Sequence, residues 1–189
     1  MPNYDLETVI TARVANLEAS ELRIANQTVW TSGGPEATMM RELWTPGNHN
    51  SPGPYSFGWS LVLSASVYIP AVWWYQPSAG NTADVYGSIY SSTGTLLVEK
   101  LLASANIVKG QWNRIEFDTP YFCDSANQYR PSIFAEAGGE QGYDSTAFSR
   151  PWTTGPCTVS TDYWRYGHLW PNNNSGAETH GIDFEFYLA

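Results

Sequence analysis

Positive charge is scarce in this sequence. Nine Lys and Arg are scattered along 189 residues against 18 Asp and Glu, for a formal net charge of −9. Phosphate backbones are gripped by grouped cations, so this distribution argues against nucleic acid as a partner. The acidic balance instead keeps an aromatic-rich surface in solution. Long apolar runs are missing too. None reaches the ~18–20 residues that span a bilayer. The opening stretch MPNYDLETVITARV has neither the basic nor the apolar region of a secretory signal. The expectation is a chain made in a cytoplasm, with no signal peptide and no membrane insertion. There are only two cysteines, Cys123 and Cys157, and they lack metal-type spacing. They are read as unpaired thiols of a chain made under reducing conditions, with a single disulfide as the rival.

Catalytic motifs are equally absent. His49, His168 and His180 form no H-x-H or H-E-x-x-H pattern. There is no G-x-S-x-G elbow, phosphate loop or dinucleotide fingerprint. No catalytic residue, metal ligand or cofactor is expected. Glu136 and Glu140 could form the carboxylate pair of a glycosidase, and a glycan hydrolase stands last among the functions weighed.

What the chain does have is rings and turn residues: 9 Trp, 12 Tyr, 16 Gly and 12 Pro. That composition favours a mainly β domain with many turns. The stretches Phe57 to Ser64, Val67 to Tyr75, Val85 to Tyr90, Leu96 to Val98 and Trp112 to Phe117 read as strands rich in β-branched and aromatic residues. Ser91 to Gly94 reads as a tight hairpin turn. Asp118-Thr119-Pro120 reads as a further turn, and Gln128 to Glu136 as a strand that Pro131 should push to a sheet edge or into a bulge. Ile182 to Leu188 has the cleanest period-two alternation in the chain.

Leu6 to Ala25 contains no Gly or Pro and reads as an α-helix. Ile10, Val14, Leu17 and Ile24 fall near heptad core positions, and Arg13 and Glu18 sit where coiled-coil strands face each other. The expected organisation is this helix over 1–25 as an oligomerisation or docking stalk, an extended connector over 26–54 and a β-sandwich over 55–189. Tyr143 to Asn174 reads as a long irregular loop. Its Trp152, Trp164, Tyr166 and Trp170 suit stacking on sugars or packing on partner proteins. The alternative role for these rings is to pin the loop onto the sandwich.

The ordered series Trp74-Tyr75-Gln76-Pro77, Gly87-Ser88-Ile89-Tyr90, Ser92-Thr93-Gly94, Gly110-Gln111-Trp112-Asn113, Tyr166-Gly167, Trp170-Pro171 and Ile182-Asp183-Phe184-Glu185-Phe186 carries a family resemblance over roughly Phe57 to Phe186. It resembles an uncharacterised β-sandwich domain of actinobacterial multidomain surface proteins and of minor tail proteins of actinobacterial phages. The departures are Gln76, where that family usually has Lys, and the two cysteines. The resemblance implies a single antiparallel sandwich, jelly-roll or immunoglobulin-like, with no catalytic residue set. For a short chain led by a helix it implies a minor tail or capsid-surface protein on the virion surface, made in the host cytoplasm. Its implied partners are other virion proteins, further copies of itself (a trimer favoured) and a host cell-wall glycan. A free-standing carbohydrate-binding module is the alternative.

Overall fold

Alternation sets the architecture. In Ile182–Leu188 the residues Ile182, Phe184 and Phe186 enter the core, as do Val67, Ile69, Val72 and Trp74 of the neighbouring Val67–Gln76 strand. One apolar face per strand calls for a second sheet against it. The computed structural model describes residues 21–24, 27–31, 37–40, 46, 48–50, 54–79, 81–137, 139–144, 151–175 and 179–189.

Two compact units appear, residues 1–36 and 37–189. The first contains an antiparallel hairpin of β1 (Glu21–Ile24) and β2 (Gln27–Thr31), with Ile24 opposite Gln27. The second begins with β3 (Thr38–Met39), β4 (Asn48–Asn50), β5 (Tyr55–Leu63), β6 (Val67–Gln76), β7 (Val85–Ser91) and β8 (Leu96–Leu102). It continues with β9 (Gln111–Cys123), β10 (Gln128–Ala135), β11 (Gln141–Asp144), β12 (Trp152–Thr154) and β13 (Cys157–Tyr166). It closes with β14 (Asn173–Asn174), β15 (Thr179–His180) and β16 (Ile182–Leu188). The larger sheet runs β12-β13-β5-β10-β7-β8, with β14 on β13. A second runs β3-β16-β6-β9, and β15-β11-β4 form a short third.

Trp59, Leu61, Ile89, Ile133 and Val159 of the larger sheet share one core with Ile69, Trp74, Ile115, Phe117 and Phe184 of the second. The fold is mainly β, antiparallel, and has the two facing layers of a β-sandwich. The layers approach closely at Gly87, where an added Cβ would stand 2.4 Å from Val72 Cγ2. Only a glycine fits that approach.

Four sequence expectations need correction. The helix ascribed to Leu6 to Ala25 is a strand over Glu21–Ile24, so Ile24 lies on a hairpin and not on a coiled-coil seam. The ladder with Gln27–Thr31 satisfies backbone groups that a last helical turn would leave open. Ile10, Arg13, Val14, Leu17 and Glu18 lie outside the described residues.

Asp118-Thr119-Pro120 is no turn, because β9 runs on to Cys123. A register shift opposite Ile69 and Ala71 absorbs the extra residues, and β9 is an edge strand, where a proline is tolerated. Pro131 sits in an interior strand, with β10 between β5 and β7. The pairing with β5 skips Arg130 and Pro131 while that with β7 continues through both. Finally, the long segment after Tyr143 contains the ten-residue strand β13. A bulge between Val159 and Thr161 breaks its alternation and hides the period of two.

Both cysteines are buried free thiols. Burial pushes the Cys157 thiol up from 9.0 to about 12. It pushes Cys123 further still, with Cys157 adding to the effect. Burial also drives the Tyr129 phenol up from 10.0 to about 12, aided by its hydrogen bond to Asp124. The folded chain therefore holds protons that the unfolded chain releases. The stability from these groups is complete below the unfolded values and is lost as pH rises through the folded ones. Denaturant titrations should show stability falling between pH about 9 and 12, with a shallower fall in Tyr129→Phe. A flat profile across that window would contradict this burial.

Candidate functional site

Four aromatic residues were marked for ligand contact, and the structure sends them to three places. Trp152 is half-buried with its ring edge-on to Trp59, 5.1 Å between centroids. It packs on the core. Trp170 lies over the β7–β8 turn. There Gly94, at φ 93°, has no Cβ, and an added one would meet the Trp170 ring at 2.8 Å.

Trp164 and Tyr166 come together. Both belong to β13, two residues apart, so their side chains leave the same face. Both meet Tyr55, with centroids 6.0 Å from Trp164 and 5.5 Å from Tyr166, each edge-on. Tyr55 opens β5 and is paired in register with Tyr166. Trp164 is partly buried against the core, whereas Tyr166 is 62% exposed. The cluster thus runs from the core out to solvent at the end of the β5–β13 ladder.

A polar edge accompanies the rings. Asn173 of β14 pairs with Trp164, and Asn174 with Tyr163. Asn172, Asn173 and Asn174 are all exposed. The backbone beneath is held on two sides. Gly167 N donates to Pro54 O, and Ser175 N donates to Asp162 O at 3.0 Å. Ser56 Oγ donates to Gly167 O at 2.8 Å, and Leu169 N donates to Ser56 Oγ at 3.2 Å. Beneath β13, the buried Asp162 carboxylate accepts His180 N at 2.9 Å and lies 3.2 Å from His180 Nδ1, and Phe57 packs on the imidazole at 3.9 Å. Flat rings beside amide groups match the two surfaces of a pyranose, its C–H face and its hydroxyl rim. Rigid strands also lower the ordering cost of binding.

A family profile described as a domain of unknown function, DUF4082, matches residues 43–180, well over half of the chain. The chain belongs to the DUF4082 family. Among curated proteins, none matches it. Among solved structures, the infectious bursal disease virus VP2 subviral particle is similar at 12% identity and a TM-score of 0.31, over 90% of this chain and 47% of that one. T=1 particles derived from infectious bursal virus are similar at 11% identity and a TM-score of 0.32, over 90% of this chain and 41% of that one. The DUF4082 chain spans less than half the length of either.

Elsewhere in this DUF4082 domain Glu136 and Glu99 make structural contacts. Glu136 accepts a hydrogen bond from Tyr86 at 3.3 Å, and Glu136 O accepts from Gly139 N in the turn that leads to Glu140. Glu99 lies 2.7 Å from His168 Nε2 and accepts from Ser88 at 2.9 Å. Among the described residues no three His, Cys, Asp or Glu are placed to hold a metal ion. Two residues of this cluster carry no signal in the sequence: Tyr55, at the start of the expected sandwich, and Asn173, at the end of the expected loop.

Proposed function

We propose that this chain is a non-enzymatic display domain that attaches to cell-surface glycans, carried on a virion as its resemblance to phage minor tail proteins implies. The observation that carries the reading is the cluster of exposed Tyr166 with Trp164 and Tyr55 beside the amide of Asn173. Aromatic anchors backed by rigid strands, with polar groups at the rim, are how proteins hold saccharides without reacting with them. Tyr166→Ala should abolish binding to a panel of bacterial cell-wall glycans while leaving the thermal midpoint unchanged, because that ring is largely in solvent. Identical glycan affinities for the two proteins would refute the assignment. A free-standing carbohydrate-binding module has the same site, and self-association distinguishes the two. In the virion reading the chain is a homo-oligomer, held through residues 1–25. Its mass in solution should fall to that of a monomer when those residues are removed, and an unchanged mass would count against it.

A further inference from the structure

Arg130 is the most anomalous charge among the described residues. It is 7% exposed, in the middle of the larger sheet. Its stem crosses Gly58, where an added Cβ would stand 2.9 Å from Arg130 Cγ and 2.8 Å from Pro171 Cγ. The guanidinium carbon lies 3.8 Å from the centroid of the Tyr163 ring and 4.8 Å from that of Trp170. Nη1 donates to Pro171 O. Tyr163 also engages the guanidinium through a side-chain hydrogen bond; no carboxylate faces this cation among the described residues, and its Nε–H is buried without a partner. The indole Nε1–H of Trp170 is also buried without a partner. Two glycines, Gly58 and Gly94, make room for this pair of side chains.

Ring faces offset part of the cost of burying a cation. They leave its Nε–H unsatisfied, and buried polar groups are normally paired. A guanidinium and an indole are donors only. Whatever completes the seat must therefore accept hydrogen bonds, and a negative charge would also compensate Arg130. Water would supply the first property and not the second. The exposed Asn172, Asn173 and Asn174 follow directly along the chain, and Asn174 is in register with Tyr163.

We infer that Arg130 and Trp170 form a seat for the oxyanion of an acidic glycan, a hexuronate carboxylate or a sugar-linked phosphate. This rests on the glycan reading above and adds the class of sugar. The Arg130 Nε–H and Trp170 Nε1–H are the donors such an oxyanion would use, each left without a protein acceptor.

The test is a nitrogen-15 NMR titration of the full chain with methyl glucuronide, glycerol phosphate and neutral methyl glucoside. The Arg130 Nε–H and Trp170 indole signals should shift along a saturable curve with one of the two acids and stay still with the glucoside. Which acid moves them identifies carboxylate or phosphate. Arg130→Lys should weaken that binding roughly tenfold, since an ammonium cannot present the guanidinium fork. If the variant does not fold, the wild-type titration decides alone. Both signals unmoved by either acid at millimolar concentration would overturn the inference. A Trp164 response to the neutral sugar with Arg130 and Trp170 silent would overturn it alone. The reverse pattern would count against the Tyr166 site and leave the oxyanion seat standing.

Discussion

Trp59→Ala is expected to destabilise the 37–189 unit by about 3–5 kcal/mol, read as a shift in denaturant midpoint at constant slope. Trp59 is 0% exposed and lies between the sheets, edge-on to Trp152 at 5.1 Å and to Phe184 at 6.3 Å. Truncation removes its transfer free energy and leaves a cavity that the pleated backbones on either side cannot close. Domains of this size are stable by only about 5–15 kcal/mol, so the loss removes a large share of the total. The Trp152 ring should lose its seat with it. A loss under about 1 kcal/mol would mean that the two layers do not share the core described here.

Arg114→Met is expected to cost a comparable amount, about 3–5 kcal/mol, for an electrostatic reason. Glu185 lies on β16 with its side chain 9% exposed. Its Oε1 accepts from Arg114 Nε at 2.9 Å and from Nη2, and its Oε2 accepts from Trp73 Nε1 at 3.1 Å. The bond to Glu185 is the main reason the Arg114 guanidinium is held above its ordinary value. Removing Arg114 strands a buried carboxylate with one indole donor. Glu116 also touches Arg114, at 2.6 Å, but is 66% exposed. Glu116→Gln should therefore cost no more than about 1 kcal/mol. Equal losses from the two variants would show that burial of Glu185 does not govern this ladder of β6, β9 and β16.

The elements of the fold are legible in the sequence to different degrees. The alternation of Ile182 to Leu188 and the turn at Ser91 to Gly94 are short-range signals, and both strands and hairpin stand where those signals put them. The strand β13 was not legible, because a bulge at its centre shifts the period and because Gly and Pro on either side resemble a loop. Pro131 misled in the opposite direction. A missing N–H usually means an edge, yet here the ladder to β5 lapses locally while that to β7 carries on. Glu21–Ile24 carries a pattern that suits either period, and pairing with Gln27–Thr31 decides it.

The site was partly visible for the same reason. Trp164 and Tyr166 announce themselves as large rings in a polar segment. Their meeting with Tyr55, a hundred residues earlier in the chain, depends on the β5–β13 register. The polar edge at Asn173 depends on the short β14 ladder. Arg130 gave no signal at all, since only the fold shows that it is buried without a counter-charge. Sequence order lists the side chains, and pairing decides which of them can share a ligand.

The proposed glycan contact is with Tyr55, Trp164 and Tyr166. It is tested most directly by titrating the labelled chain with host cell-wall oligosaccharide while following the Trp164 indole and the Asn173 side-chain amide. Saturable shifts in both, absent in Tyr166→Ala, are the predicted result. Binding that leaves both signals in place, or no binding across the range of cell-wall sugars, would contradict the account.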